Sequence, residues 1–109
     1  MKNKLLFLAI IFGFLISCAK DEPTPTPGQN EVFINNMKFS PSSITVSSGT
    51  TITWTNQESI THTVTSDNSV FDSGNLGNGN SFSYTFSTVG TFPYHCKYHS
   101  SMTATVIVQ

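Results

Sequence analysis

The sequence predicts an all-β domain, built as an antiparallel Greek-key β-sandwich or barrel of seven to eight strands. Apolar residues alternate with Ser and Thr in several short stretches, which is the period of a strand with one buried face. Turn-forming Gly, Asn, Pro and Ser separate these stretches. No stretch of helical length shows apolar residues spaced by three and four, so helices are not expected.

The first 17 residues are predicted to form a secretory signal peptide. Lys2 and Lys4 precede an apolar run at residues 5–16, and these 12 residues are too few to span a bilayer. We therefore expect the segment to be removed from the mature protein.

The end of this segment, LISC at residues 15–18, resembles the signal of a bacterial lipoprotein. In such proteins the cysteine is lipidated, so Cys18 is predicted to carry a membrane anchor. The alternative is an ordinary signal peptide that contains a cysteine. Each buried CH₂ of an acyl chain contributes about 0.8 kcal/mol, so several chains hold a protein firmly. The predicted location is the bacterial cell envelope, on the outer membrane, at its periplasmic side or at the cell surface.

Residues 18–30 are predicted to be a tether, and residues 31–109 the domain. KDE at residues 20–22 resembles a surface-export signal of some lipoproteins, or it is a solvated charged tail. The alternating Pro and Thr that follow favour an extended chain of about 3.1 Å per residue. The domain has two Lys, no Arg and four acidic residues, a net charge of −2, which provides no electrostatic footprint for nucleic acid.

The clearest strands are SFSYTF at residues 81–86 and TITWT at residues 51–55, in which Trp54 is predicted to pack in the core. Further pairs with inward-facing side chains are Val32 with Ile34, Ile44 with Val46, His62 with Val64, Phe92 with Tyr94, and Val106 with Val108. A domain of 79 residues buries its surface incompletely, so a bound metal would add stability.

The stretch PYHCKYHSSM, residues 93–102, concentrates potential metal ligands. If the strand extends to Cys96, this side chain faces the core and that of His95 points away. We therefore interpret His95, like Met37, as a structural or surface residue. His99 and Met102 follow Cys96 at intervals of three, so a tight turn could direct all three to one point.

The remaining histidine, His62, faces inward by its alternation with Val64. A buried imidazole needs partners for its ring nitrogens, and a metal would provide one. Two imidazoles, a thiolate and a weak thioether form a set that suits copper. Singly, each residue has an ordinary alternative: Cys96 and Met102 as core residues, and His62 as a hydrogen-bonded structural histidine.

With these residues in place, the chain resembles the cupredoxins, the blue-copper proteins, over essentially the whole domain. The similar segments are MKFSPSSITVSSGTTITWTN, HTVTS, FDSGNLGNGNSFSYTF and VGTFPYHCKYHSSMTATVIV. Their order and spacing are similar to the plastocyanin, amicyanin and pseudoazurin branch, and the short C-x-x-H-x-x-M loop is most similar to amicyanin.

The resemblance implies a cupredoxin-like sandwich with one type 1 copper ion. It implies that the ligands are His62, Cys96, His99 and Met102, and that His99 lies near the surface, where electrons enter and leave. Two features depart from the branch. Thr63 stands where an asparagine often ties the two ligand segments together, and the loop around His99 lacks its common proline. Hydrogen bonding to the Cys96 sulfur is therefore expected to differ.

The predicted function is a one-electron carrier, a monomer that exchanges electrons with redox partner proteins and reaches the membrane through its lipid anchor. The alternative is a copper-binding protein for delivery or tolerance, but the domain has only Met37 and Met102 rather than methionine or histidine clusters. An enzyme is not predicted, because a cysteine nucleophile must be exposed. Zinc is the alternative metal, since it also accepts cysteine and histidine.

Overall fold

The computed structural model describes residues 26–109, which form eight strands and no helix. The strands are β1 (Glu31–Asn35), β2 (Lys38–Ser40), β3 (Ser43–Val46), β4 (Thr50–Asn56), β5 (Thr65–Ser66), β6 (Ser81–Phe86), β7 (Gly90–Cys96) and β8 (His99–Val108). Nothing helical in this range could cross a bilayer. The predicted signal peptide, Cys18 and the tether as far as residue 25 lie outside the described residues.

The strands form two four-stranded sheets, in the orders β2-β1-β4-β6 and β3-β8-β7-β5. The predicted all-β sandwich is thus confirmed, but its pairing is mixed rather than wholly antiparallel. β1 pairs with β4, and β3 with β8, in parallel. The path of the chain explains this: β2 reverses from β1, β3 follows after two residues in the other sheet, and a turn at Gly49 (φ 95°) then returns the chain as β4.

The core lies between the two sheets and is largely aromatic. Trp54 on β4 and Tyr94 on β7 cross it edge to face at 5.5 Å between ring centroids. The Trp54 Nε1–H donates a hydrogen bond to the Tyr94 hydroxyl at 3.0 Å, which joins the sheets and satisfies a buried donor. Phe71 and Phe86 pack on the same cluster. The predicted core position of Trp54 is confirmed, since its side chain is completely buried.

The outward face of β4 and β6 carries the polar half of the predicted alternation. Three cross-strand hydroxyl pairs lie on it at 2.7–2.9 Å, and these are Thr51 with Thr85, Thr53 with Ser83, and Thr55 with Ser81. Such pairs stabilise a sheet modestly and leave no apolar face for a partner strand or sheet. The period of two therefore predicted both faces of this strand pair.

The two ends of the sandwich differ in which residues lie there. At one end, which we call the ligand end, β4 finishes at Asn56, β7 finishes at Cys96 and β8 begins at His99. At the other, which we call the tether end, Gln109 accepts a hydrogen bond from Ser48, and Gln29 and Asn30 line a small cavity with it. The chain thus enters the domain far from the end that holds the predicted ligands.

Candidate metal centre

Cys96 and His99 occupy facing positions of a tight hairpin. Cys96 is the last residue of β7, His99 the first of β8, and the two are paired across a turn of Lys97 and Tyr98. The register shifts between His95 and Cys96, so the strand is irregular where the thiol is presented. Cys96 is completely buried, whereas His99 is only partly buried. The tight turn predicted from the spacing is therefore present.

His62 is completely buried, as expected, but not for the predicted reason. Thr63 and Val64 beside it are also completely buried, so the segment does not alternate. The chain here is not a regular strand, because His62 forms only an isolated bridge with Leu76. Two backbone hydrogen bonds between these residues, at 2.8 and 3.1 Å, hold the histidine in place. Pairing with a loop, rather than strand alternation, directs His62 inward.

The structure brings His62, Cys96 and His99 together. The Cys96 Sγ lies 3.6 Å from the His62 Nδ1 and 3.5 Å from the His99 Nδ1, and all three donor atoms lie within 4.8 Å of one another. A nitrogen about 2.0–2.1 Å and a sulfur about 2.3 Å from a shared ion, at tetrahedral to trigonal angles, lie about 3.5–3.8 Å apart. The nitrogen–sulfur distances therefore fit one metal ion between the three side chains.

Met102 is placed on the inward face of β8, three residues after His99. Its side chain is 97 % buried (3 % exposed) and follows the same alternation as Ala104 and Val106. It also lines an open cleft of about 480 Å³, together with Phe39 and Met37. Met102 thus lies near the ligand end with its side chain buried on the inward face of β8.

His95 lies outside this cluster, as predicted from the alternation of β7. Its Nδ1 is 2.6 Å from the Asp67 Oδ1, and about a third of its side chain is exposed. Met37 is exposed as well, on the rim of the cleft beside Met102. The predicted structural or surface roles of both residues agree with these positions.

Thr63 contacts the ligand hairpin through its backbone amide and its hydroxyl. Its N–H points at the Cys96 Sγ at 3.4 Å, and its Oγ1 accepts a hydrogen bond from the Lys97 N–H at 2.8 Å. One residue therefore contacts both the thiol and the peptide that follows it. The contact to the sulfur comes from a backbone N–H that any residue at position 63 would supply, whereas the side chain supplies the acceptor for Lys97, and the two ligand segments are tied.

The second nitrogen of His62 faces an acidic side chain. Its Nε2 is buried without a hydrogen-bond partner among the described residues, and the Glu58 Oε2 is 3.5 Å from it. The same oxygen accepts a hydrogen bond from the Met37 N–H at 2.7 Å. The His62 Nδ1 is thus directed to the Cys96 sulfur and its Nε2 to the Glu58 carboxylate. In metal sites, a carboxylate beside the second ring nitrogen orients the histidine ring.

Asn56 holds the loop that carries Glu58 and the bridge that carries His62. Its side-chain amide donates to the carbonyls of Ile60 and Leu76 at 2.8 and 2.9 Å, and its Oδ1 accepts from the Glu58 N–H. Sequence reasoning missed this role, although Asn56 continues the inward series of Ile52 and Trp54. Glu58 gave no such signal, because it lies in a loop.

The family model and the sequence relatives that match this chain are all cupredoxin-type proteins. A model of the "Cupredoxin-like domain" family matches residues 5–108. The chain is 33 % identical to plastocyanin of Scenedesmus fuscus, over 65 % of this chain and 86 % of that protein. It is 32 % identical to amicyanin-alpha of Methylorubrum extorquens, over 75 % of this chain and 73 % of the relative.

Solved structures agree with the sequence relatives. A purple cupredoxin from Nitrosopumilus maritimus superposes with a TM-score of 0.68 at 28 % identity, covering 72 % of this chain and 98 % of that one. An oxidised single-residue variant of amicyanin gives a TM-score of 0.71 at 28 % identity, over 80 % and 95 % of the two chains. Another amicyanin variant in this group is described as a Cu(I) form. Copper is also the metal predicted here from the ligand types.

Proposed function

The chain belongs to the cupredoxin-like domain family, and on this basis we propose that it is a type 1 copper protein of the cell envelope that carries one electron at a time. The observation that carries the proposal is the convergence of three donor atoms, two imidazole nitrogens and one sulfur, within 4.8 Å. This donor set suits copper in both of its oxidation states. A bound copper ion would supply the Cu(II)/Cu(I) couple.

The protein residues contribute a fixed set of donors. His62 is held by Leu76, Cys96 by the end of β7, and His99 by its pairing with Cys96. Because backbone pairing holds these donors in place, electron exchange would require little ligand rearrangement. We assign His62, Cys96 and His99 as ligands and Met102 as the weak axial one, whose contact would tune the potential.

His99 is the proposed port for electrons. It is the one member of the three-residue cluster that is partly exposed, whereas His62 and Cys96 are completely buried. Tyr98 beside it and Ile60 in the neighbouring loop are large, exposed apolar side chains. A redox partner protein could contact these side chains as it approaches His99.

The geometry of the chain is compatible with a lipid anchor at Cys18. Residues 28–30 join the domain at the tether end, so a membrane-bound tether would leave the ligand end facing away from the lipid. We propose a monomer anchored on the periplasmic or outer side of the outer membrane. Mass spectrometry of detergent-extracted protein should find an acylated Cys18 as the first residue, and an unmodified mature N-terminus would reject the anchor.

Copper titration of the purified protein tests the metal site. We expect one equivalent of copper(II) to give an intense blue or green colour from thiolate-to-copper charge transfer. Cys96→Ala should abolish the colour, and His62→Ala should weaken or remove it. His95→Gln is the matched control, because His95 neighbours Cys96 but lies outside the cluster. A colourless complex of the wild type, or a colour that survives Cys96→Ala, rejects the assignment.

Voltammetry separates a carrier from a copper store. A carrier must cycle between Cu(II) and Cu(I) reversibly and keep its metal through repeated scans. A delivery protein would instead release Cu(I) to a chelator of moderate affinity after reduction. Loss of Cu(I) to the chelator during the repeated scans would favour delivery or tolerance over electron transfer.

A further inference from the structure

A series of hydroxyl groups leads from the ligand hairpin to the surface. The Lys97 N–H donates to the Thr63 Oγ1 at 2.8 Å, and the Thr63 Oγ1 lies 2.9 Å from the Thr65 Oγ1. The Thr65 hydroxyl in turn donates to the Asp72 Oδ1 at 3.2 Å. Asp72 is on the surface, whereas Thr63 is completely buried.

The donors and acceptors in this series can be ordered in one direction only. A carboxylate oxygen accepts and cannot donate, so the proton of Thr65 is committed to Asp72. Thr65 must then accept from Thr63, whose own proton is committed in turn. The Thr63 oxygen is left with lone pairs only, which is what the Lys97 N–H requires. The acceptor at the surface thus dictates how the buried hydroxyl is turned.

Asp72 is itself held as an acceptor. Its Oδ1 also accepts from the Gly74 N–H at 3.0 Å, and this hydrogen bond is the main reason that the pKa of Asp72 is lowered. Its Oδ2 lies 3.5 Å from the Lys97 Nζ. Both ends of the series therefore meet at Lys97, the backbone end through Thr63 and the side-chain end through Asp72.

We propose that Thr65 and Asp72 are positioning residues of the copper centre, which act through Thr63 to hold the peptide that follows Cys96. This inference rests on the proposed function. Turning the Thr63 hydroxyl away would leave a buried group unpaired, which costs more than the hydrogen bond contributes.

The first test needs no metal. In the apo-protein, Thr65→Val should speed the hydrogen exchange of the Lys97 amide about fivefold, the effect of losing one hydrogen bond of ordinary strength. Thr65→Ser keeps the hydroxyl and should leave the exchange rate unchanged. Thr85→Val is the matched control, because Thr85 belongs to an exposed hydroxyl pair on the other sheet. Unchanged Lys97 exchange in Thr65→Val would overturn the proposal.

The second test reads the centre itself. In the copper-loaded protein, Thr65→Val should shift the reduction potential and the charge-transfer spectrum, in the same direction as Thr63→Val, with Thr65→Ser restoring the wild-type values. The double variant should resemble Thr63→Val alone, because the two residues act in series. Additive effects, or a Thr65→Val spectrum equal to that of Thr85→Val, would overturn the proposal.

The role of the carboxylate is separable from its ion pair. Asp72→Ala removes the final acceptor and should reproduce Thr65→Val in both tests. Lys97→Met removes the ammonium but keeps the backbone N–H. The hydrogen exchange of the amide at position 97 and the copper spectrum should therefore stay close to wild type. The reverse result would assign the effect to the ion pair and overturn the relay. A wild type that never turns blue rejects the proposed function, whereas the exchange data test the relay independently.

Discussion

Between the sheets, the middle of the sandwich is filled by aromatic rings, whereas the ligand end is filled by polar side chains. Trp54 contacts Phe71, Phe82, Phe86 and Tyr94, with centroid distances of 5.5–6.3 Å. At the ligand end, Asn56, His62 and Thr63 are completely buried. Both regions contain completely buried side chains, but these side chains are of different chemistry.

The difference lies in how specific the contacts must be. Aromatic packing depends mainly on filled volume and is less directional than hydrogen bonding. Its main contribution is therefore to the stability of the fold. Each buried polar atom at the ligand end needs its own partner, because an unpaired one costs about 1–3 kcal/mol. We infer that the middle determines how firmly the domain folds, and that the ligand end determines where the donor atoms lie.

Trp54→Ala should produce the largest loss of stability. Removing a completely buried indole from the core typically lowers the free energy of unfolding by about 3–5 kcal/mol. Chemical denaturation of the apo-protein measures this change. The copper spectrum of the fraction that remains folded should keep its band positions, since the ring contacts and the hydrogen bond of Trp54 join it to other aromatic residues and not to the proposed ligands. A shifted spectrum would show that the two regions are not independent.

Asn56→Ala should lower stability less than Trp54→Ala does, but it should change the copper spectrum. It removes the hydrogen bonds that Asn56 makes with the carbonyls of Ile60 and Leu76 and with the Glu58 N–H, so we expect a loss of about 2–3 kcal/mol. His62 is held through Leu76, so copper(II) dissociation should also accelerate and the spectrum should change. Asn78→Ala, in an exposed turn, is the control. Equal spectra for the two variants would contradict a positioning role for Asn56.

The same contrast explains what could be predicted from the sequence. Period-two alternation predicted the core position of Trp54 and the exposure of His95, because a regular strand has only two faces. It could not predict that β1 and β4 would be parallel, since this depends on β3 crossing to the other sheet. Strand positions follow local pattern, whereas pairing depends on the path of the whole chain.

At the site, alternation gave the correct outcome for His62 by an incorrect route. The residue is buried because Leu76 pairs with its backbone, and that contact has no local signature. The relay through Thr65 and Asp72 was likewise not predictable, because it joins residues from three separate segments. The ligand types could be predicted from spacing and from the family resemblance, whereas the groups that orient them required coordinates.

Tyr94→Phe tests the one polar contact inside the aromatic region. The change keeps the ring but leaves the Trp54 Nε1–H without its acceptor, so stability at neutral pH should fall by about 1–2 kcal/mol. Burial raises the pKa of Tyr94 above its usual 10. A phenol with a raised pKa in the folded state stabilises the fold fully below pH 10 and loses this contribution as the pH rises further.

The wild type should therefore lose stability above about pH 10, and Tyr94→Phe should lose less of its own. Urea midpoints measured from pH 8 to pH 11 provide the comparison. Parallel curves for the two proteins would mean that another group controls the alkaline transition.

Glu58→Gln should have the smallest effect on folding, and it separates charge from packing at the ligand end. Glutamine keeps an oxygen that can accept from the Met37 N–H, so the free energy of unfolding should change by less than about 1 kcal/mol. The negative charge near the His62 Nε2 is lost, however, and this charge favours Cu(II) over Cu(I). The reduction potential should therefore rise, by on the order of 50 mV for a partly screened charge. Glu31→Gln removes an equal charge near the tether end and should leave the potential unchanged; a rise of the same size there would reduce the effect to net charge alone.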